Sequence, residues 1–157
     1  MKTKKTLIGE IVQELDNLKI NYVFLRQESS VLSSLEKGSS GDIDIYIESN
    51  RVKEFFDILS SKKLINLMPK ELFVDIETGL KVDVHYNPYI RLPFPGDDFF
   101  FKNMKKINGW NFLNNEALYL VLLLHPLDIV GIRGQRRYSE DKLEYLNSYK
   151  ELIFKDF

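Results

Sequence analysis

The chain has 157 residues and a formal net charge of −1, a length that predicts one domain with its own hydrophobic core. It contains no cysteine, which excludes disulfides and thiolate metal sites, and its charge offers no basic field, so a nucleic-acid partner is not expected. The longest apolar run, Ala117–Leu124, is too short to cross a membrane, and the basic start Met1–Lys5 leads into an amphipathic segment rather than a signal peptide. These features predict a cytoplasmic protein with no membrane partner.

The first forty residues predict a helix, a strand and a long polar connection. Apolar residues recur at helical spacing over Thr6–Leu18, with Thr6 as the expected N-cap. Asn21–Leu25 is an apolar run of strand length, expected in the centre of a sheet. The polar segment Gln27–Ser40 has room for a short helix near Val31–Glu36, and connections of this length are often functional.

The stretch Gly38–Glu48 contains the clearest strand pattern of the chain. Isoleucines alternate with polar residues from position 43 to position 47, which predicts a strand with one face in the core. The opposite face begins with Asp42 and Asp44, whose Cα atoms are expected about 6.5–7 Å apart. No cation occurs in the stretch, so the two carboxylates repel each other unless a divalent cation lies between them.

The middle of the chain predicts a helix, an edge strand and a hairpin. These elements are Arg51–Ser60 capped by Asn50, Leu64–Met68, and Leu72–Ile76 paired with Leu80–Tyr86. The hairpin connection ends in Gly79, which is expected in the left-handed conformation. Asp75 is interpreted as a surface charge.

The last third predicts a loop followed by helices. Asn87–Phe101 is rich in proline and aromatic residues and is expected to be a loop, after which helices are expected from Asn114 to about Leu124 and over Glu140–Phe154. The aromatic run Phe99–Phe101 has two interpretations, packing of the C-terminal helices on the sheet or an exposed lid or partner surface. The expected architecture is a single α/β domain over residues 1–157, with a core at about 6–90, helices mainly on one face of the sheet, and a helical part at about 114–157.

A third carboxylate comes from the predicted strand that ends at Tyr86. Lys81, Asp83 and His85 alternate there with apolar residues and share one face. An Asp-x-Asp motif alone occurs by chance in about one chain in three of this length. The preceding Gly/Ser turn and the second strand favour a metal site over a solvated strand face. For His85, a hydrogen bond to a neighbour is slightly favoured over substrate contact.

These motifs resemble the nucleotidyltransferase superfamily related to polymerase beta. In that superfamily a Gly/Ser-rich segment leads into a strand with Asp-x-Asp, and a later strand provides a third aspartate. The run Asp83-Val84-His85-Tyr86 is similar to one in an uncharacterised bacterial branch. The resemblance covers about residues 20–86 and implies a nucleotidyltransferase-like fold, with a mixed sheet, helices mainly on one face and C-terminal helices.

The resemblance implies transfer of a nucleoside monophosphate from a nucleoside triphosphate to an acceptor hydroxyl. Asp42, Asp44 and Asp83 would be the catalytic and metal-binding residues, holding two Mg²⁺ ions, with Mn²⁺ as an alternative. Asp83 would accept the proton of the hydroxyl. The nucleotide-binding residues would be Arg26, Gln27, Ser39, Ser40, Gly41 and Arg136.

The chain departs from the superfamily pattern directly after the first predicted strand. The superfamily usually has Gly-Gly or Gly-Ser there, whereas Leu25–Ser29 contains no glycine. An alternative is therefore a catalytically impaired module of the same fold that binds a nucleotide or a protein partner, a second copy of the chain included. If the three carboxylates repel each other without metal, Asp44→Asn is expected to stabilise the metal-free protein by about 0.5–2 kcal/mol.

Overall fold

The computed structural model describes residues 2–67, 71–86 and 96–122. The helices are α1 (Lys4–Asn17), α2 (Glu28–Ser34), α3 (Val52–Ser61), α4 (Asp97–Lys102) and α5 (residues 115–122). The strands are β1 (Tyr22–Phe24), β2 (Ile43–Ile47), β3 (Ile65–Asn66), β4 (Leu72–Val74), β5 (Lys81–His85), β6 (Met104–Ile107) and β7 (Trp110–Leu113). Arg136 and the expected helix Glu140–Phe154 lie outside the described residues.

The seven strands form one sheet in the order β3-β4-β5-β2-β1-β7-β6. Strand β2 is parallel to β5 and β1 is parallel to β7, while the other neighbours pair antiparallel. The expected α/β architecture with a mixed sheet is therefore confirmed. Within the described ranges, no helix combines the length and apolarity that a membrane crossing requires.

The larger core lies between the sheet and helices α1, α2 and α3. Strand β2 contributes Ile43, Ile45 and Ile47, and β5 contributes Val82 and Val84. Burial of each such side chain stabilises the fold by roughly 1.5–3 kcal/mol. Because side chains alternate along a strand, the intervening residues of β2 and β5 project from the opposite face of the sheet.

A second, smaller core covers that opposite face around β1, β2 and β7. Tyr46 is fully buried there and stacks on Phe100 of α4, with ring centroids 3.9 Å apart. Helix α5 adds Ala117 and Leu118 to the same cluster. The end of the expected loop Asn87–Phe101 is thus helical from Asp97, and Phe100 packs on the sheet rather than forming an exposed lid. Burial of the aromatic side chain stabilises this turn of helix, which the sequence pattern did not predict.

Two helix starts differ from the sequence expectation. Helix α1 begins earlier than Thr6, because the Thr3 hydroxyl accepts a hydrogen bond from the Thr6 amide at 3.1 Å and acts as the N-cap. Helix α3 follows a 3₁₀ turn over Ser49–Arg51, so Asn50 lies inside that turn and does not cap the helix. Both differences are local: α1 still buries apolar residues at helical spacing, and α3 buries Phe55, Ile58 and Leu59.

The hairpin between β4 and β5 has the expected turn and an unexpected anchor. Gly79 has a φ of 74°, the left-handed conformation that its position predicted. Asp75 is only 7% exposed, and its carboxylate accepts hydrogen bonds from the Thr78 amide at 2.8 Å and the Thr78 hydroxyl at 2.5 Å. The interpretation of Asp75 as a surface charge is wrong, because this carboxylate closes the turn.

Candidate functional site

Two of the predicted carboxylates are direct neighbours in the sheet. Asp44 and Asp83 are register partners on the parallel strands β2 and β5, and both project from the face opposite the larger core. His85 follows two residues later on the same face of β5. One ligand atom from each of Asp44, Asp83 and His85 can be chosen so that all three lie within 4.8 Å of one another. Strand periodicity and parallel pairing together gather these side chains.

His85 lies inside this acidic group with a fifth of its side chain exposed. Its Nε2 is 3.4 Å from Oδ1 of Asp44 and 3.8 Å from Oδ2 of Asp83. Burial alone lowers the pKa of His85, but the hydrogen bond and negative charge of Asp44, assisted by Asp83, raise the pKa above its ordinary 6.5. The expected hydrogen bond to a neighbour is present, and it holds the imidazole among the carboxylates.

Arg26 supplies the cation that the Asp-x-Asp strand itself lacks. Its Nε donates to Oδ2 of Asp44, and its terminal nitrogen lies 3.7 Å from Oδ1 of Asp42. Strands β1 and β2 are antiparallel with Phe24 opposite Ile45, so the chain leaving β1 passes beside the start of β2. Arg26 therefore places one positive charge against two carboxylates at the position where the sequence predicted a metal.

The charged neighbours of Asp44 decide its ionisation. Burial by itself raises the pKa of this carboxyl, whose side chain is 16% exposed. The hydrogen bond from His85 and the positive charge of Arg26 outweigh burial and lower the pKa from 3.8 to about 2. Asp44 is therefore ionised throughout the neutral and mildly acidic range.

Asp42 lies at the rim of the site. Its side chain is 39% exposed, and it is joined to Asp44 through Arg26. The predicted convergence of three aspartates takes the form of an adjacent pair, Asp44 and Asp83, with Asp42 attached through the guanidinium.

The Gly/Ser segment before Asp42 is held by lysines. Lys4, which is 6% exposed, donates to the Ser39 carbonyl at 2.5 Å, and Lys81 donates to the Ser40 carbonyl at 3.2 Å. The Gly41 amide donates within the segment to the Ser39 hydroxyl at 3.2 Å. Ser39, Ser40 and Gly41, which were predicted to bind nucleotide, therefore lie close to Asp42 in the chain. The two carbonyls and the amide already have hydrogen-bond partners within the protein. Sequence reasoning missed the role of Lys4 in holding this segment. The available signal was the position of a lysine on the apolar face of α1, where a charged side chain needs a partner.

A cleft of about 250 Å³ opens beside Arg26 and Gln27. The β6–β7 hairpin and the start of α5 form its other walls, where Lys105 donates to Asn115 Oδ1 at 3.0 Å. Glu28, at the start of α2, accepts a 2.6 Å hydrogen bond from Asn108 in the hairpin turn. Arg26 and Gln27, which the sequence analysis assigned to nucleotide binding, thus line a cleft. Lys105 is a cation in the same cleft that sequence reasoning missed.

The donor atoms at the acidic group fit a divalent cation after a small rearrangement. Two ligand atoms on opposite sides of an Mg²⁺ ion, each about 2.1 Å from it, are about 4.2 Å apart. The ligand atoms of Asp44, Asp83 and His85 lie within 4.8 Å of one another, which is close to that spacing. Carboxylate oxygens suit Mg²⁺ and Mn²⁺, whereas an imidazole ligand favours Mn²⁺ or Zn²⁺ over Mg²⁺. Arg26 bonds one oxygen of Asp44, so full access to this carboxylate requires the guanidinium to move.

Comparisons with known proteins support the fold. No protein-family model and no curated protein sequence matches the chain. Among solved structures, the chain is similar to the crystal structure of an antigenic nucleotidyltransferase-like protein from Paracoccidioides brasiliensis. The two are 16% identical, the match covers 96% of this chain and 76% of that chain, and the TM-score is 0.56. At this identity the likeness defines the fold alone, and the chain has a nucleotidyltransferase-like fold.

Proposed function

We propose that this chain is a divalent-metal-dependent nucleotidyltransferase, which transfers a nucleoside monophosphate from a nucleoside triphosphate to an acceptor hydroxyl. The proposal is carried by the parallel register of Asp44 and Asp83, which gathers two carboxylates and His85 on one face of the sheet. The nucleotidyltransferase-like fold supports the general class.

Asp44 and Asp83, with Asp42 at the rim, are the proposed ligands of Mg²⁺ or Mn²⁺. A metal held by these carboxylates would supply positive charge for phosphate oxygens and would lower the pKa of the acceptor hydroxyl. Asp83, with 32% of its side chain exposed, accepts the hydroxyl proton. The new oxygen–phosphorus bond then forms at the α-phosphate as the bond to pyrophosphate breaks.

The nucleotide is proposed to bind along this cleft, which is connected to the carboxylates through Arg26. Arg26 and Gln27 line one wall and Lys105 lies in another, so the cleft offers two cations to a triphosphate, against one carboxylate from Glu28. The segment before Asp42 is proposed to contact the phosphates through Ser39, Ser40 and Gly41. This contact requires the present hydrogen bonds of the segment to rearrange. Arg136 is a proposed phosphate ligand on sequence grounds alone.

Thermal melts with each of the four nucleoside triphosphates, with and without Mg²⁺, test this function, together with an assay for pyrophosphate release. We expect one or more nucleotides to raise the melting temperature only when metal is present. Asp83→Asn should abolish pyrophosphate release. Asp98→Asn is the matched control because Asp98 is 78% exposed on α4 and pairs with Lys102. Absence of any metal-dependent nucleotide binding by the parent would overturn the proposal.

A non-catalytic module that binds a nucleotide or a protein partner is the second candidate. The observation that favours it is the pairing of Arg26 with Asp42 and Asp44, which offsets part of the carboxylate charge without metal. The same experiment separates the candidates, since this module would bind nucleotide or a second chain and release no pyrophosphate.

A further inference from the structure

We propose that Arg26 is a displaceable counter-ion, which competes with the divalent cation for Asp42 and Asp44 and must leave them before metal binds. The inference rests on the proposed metal-dependent function. It adds that a single side chain, Arg26, regulates the binding of the metal.

The contacts of Arg26 carry the first step. Its Nε bonds to Oδ2 of Asp44, and a terminal nitrogen approaches Asp42 at 3.7 Å, so the guanidinium spans both carboxylates of the Asp-x-Asp motif. Asp44 also bonds to His85 through its other oxygen, Oδ1. Both oxygens of Asp44 are thus engaged by cationic or polar side chains of the protein.

Charge sets the two arrangements in competition. A guanidinium and a divalent cation on neighbouring oxygens of one carboxylate pair repel each other at a few ångströms. Without metal, the single positive charge of Arg26 offsets part of the charge of Asp42 and Asp44, and a divalent cation would offset both charges once Arg26 has left. The affinity for metal is therefore reduced by the free energy needed to separate Arg26 from its partners.

The adjacent cleft provides the place to which Arg26 moves. Arg26 lines this space of about 250 Å³ and is itself 31% exposed, so rotation of its side chain is not blocked by a closed core. In the cleft the guanidinium joins Lys105, and a phosphate group there would gain a bidentate donor. Metal entry then frees the cation that the anionic part of a substrate needs.

Binding of Mn²⁺, measured by electron paramagnetic resonance of the free ion, tests the competition in the full chain. Arg26→Met removes the charge and keeps apolar bulk, and Arg26→Lys keeps the charge but loses the planar fork. Arg51→Met is the matched control, because Arg51 pairs with Glu54 on the surface at the start of α3. Circular dichroism establishes that each variant is folded.

We expect Arg26→Met to bind Mn²⁺ about tenfold or more tightly than the parent, the range of one charge-assisted hydrogen bond. Arg26→Lys should be intermediate and Arg51→Met unchanged. Equal or weaker binding by both Arg26 variants would overturn the competition and leave the proposed function intact.

Two further outcomes bear on both the inference and the proposed function. Binding by Arg26→Met but not by the parent at millimolar Mn²⁺ supports the competition and overturns metal dependence of the natural chain. If neither the parent nor any of the three variants binds Mn²⁺, both proposals are wrong.

Discussion

Asp44 and His85 lie on adjacent parallel strands, with Oδ1 and Nε2 3.4 Å apart. On its other side Asp44 bonds to Arg26, so this carboxylate joins the segment just after β1 to the last residue of β5. The contact couples the protonation of His85 to the ionisation of Asp44, and both ionisations affect the stability of the metal-free fold.

The first prediction concerns the pKa of His85. In metal-free protein it should titrate above 6.5, and in Asp44→Asn its pKa should fall, because burial continues to lower it after the hydrogen bond and charge are removed. Histidine proton resonances followed against pH measure both values. The chain has two histidines, so His85→Gln identifies the signal. A parent value at or below 6.5 would contradict the prediction, and Asp98→Asn should leave it unchanged.

The second prediction concerns the stability of Asp44→Asn. The raised pKa of His85 stabilises the fold fully below pH 6.5, and this contribution is lost as pH rises through the folded value. The lowered pKa of Asp44 stabilises the fold above pH 3.8, and this contribution is lost as pH falls towards about 2. Between pH 3.8 and 6.5 both are present.

In that window Asp44→Asn should lower the free energy of unfolding by about 1–3 kcal/mol in the presence of a chelator. This sign is opposite to the one expected from three unneutralised carboxylates, because Arg26 and His85 are partners of Asp44. Urea unfolding of parent and variant measures the difference. An unchanged or more stable variant would mean that repulsion among the carboxylates outweighs both partners.

The third prediction concerns Asp97, which attaches α4 to the sheet. Its carboxylate accepts hydrogen bonds from the Tyr46 hydroxyl at 2.8 Å and from the hydroxyl and amide of Ser49 at 2.6 and 3.1 Å. Asp97→Ala removes these acceptors and should cost about 1–3 kcal/mol in a urea unfolding experiment. Asp98→Ala is the control, with an expected change below about 0.5 kcal/mol. Similar losses in the two variants would contradict a specific role of Asp97.

The fourth prediction separates two glycines of the segment before Asp42. A Cβ on Gly41 would lie 2.6 Å from Ser34 Oγ, so Gly41→Ala should cost about 1–3 kcal/mol and Ser34→Ala should recover part of it. Gly38 has open space around it but a φ of 86°, so Gly38→Ala should cost about 1–2 kcal/mol that Ser34→Ala does not recover. Unfolding free energies of the single and double variants test this, and recovery in both pairs would contradict it.

The local patterns of the sequence predicted the strands that carry the carboxylates. The isoleucine alternation identified β2, and the positions of Asp44 and Asp83 on the faces opposite their apolar neighbours followed from a period of two. The parallel pairing of β2 with β5 depends on contacts about forty residues apart in sequence. No local pattern reports such a pairing, and this is also why the role of Arg26 beside β2 was not predicted.

The β6–β7 hairpin is a different case, because its signal is present in the sequence. Asn108 and Gly109 have φ values of 52° and 86° and connect the paired residues Ile107 and Trp110. An Asn-Gly pair between apolar strands is the strongest short hairpin signal, since both positions adopt the left-handed conformation readily. Recognition of this turn would have placed Lys105 on a strand, although not beside the cleft.

Strand β2 occupies the middle of the seven-stranded sheet and is covered on both faces, by the larger core under Ile45 and by Phe100 over Tyr46. Its amide hydrogens should exchange with solvent only through global unfolding, whereas Arg26 lies in a connection beyond the end of β1. Asp44 is thus expected on slowly exchanging backbone, whereas its counter-ion Arg26 lies on a connection between β1 and α2, outside the regular elements. In deuterium exchange, residues 43–47 should label many times more slowly than residues 26–30.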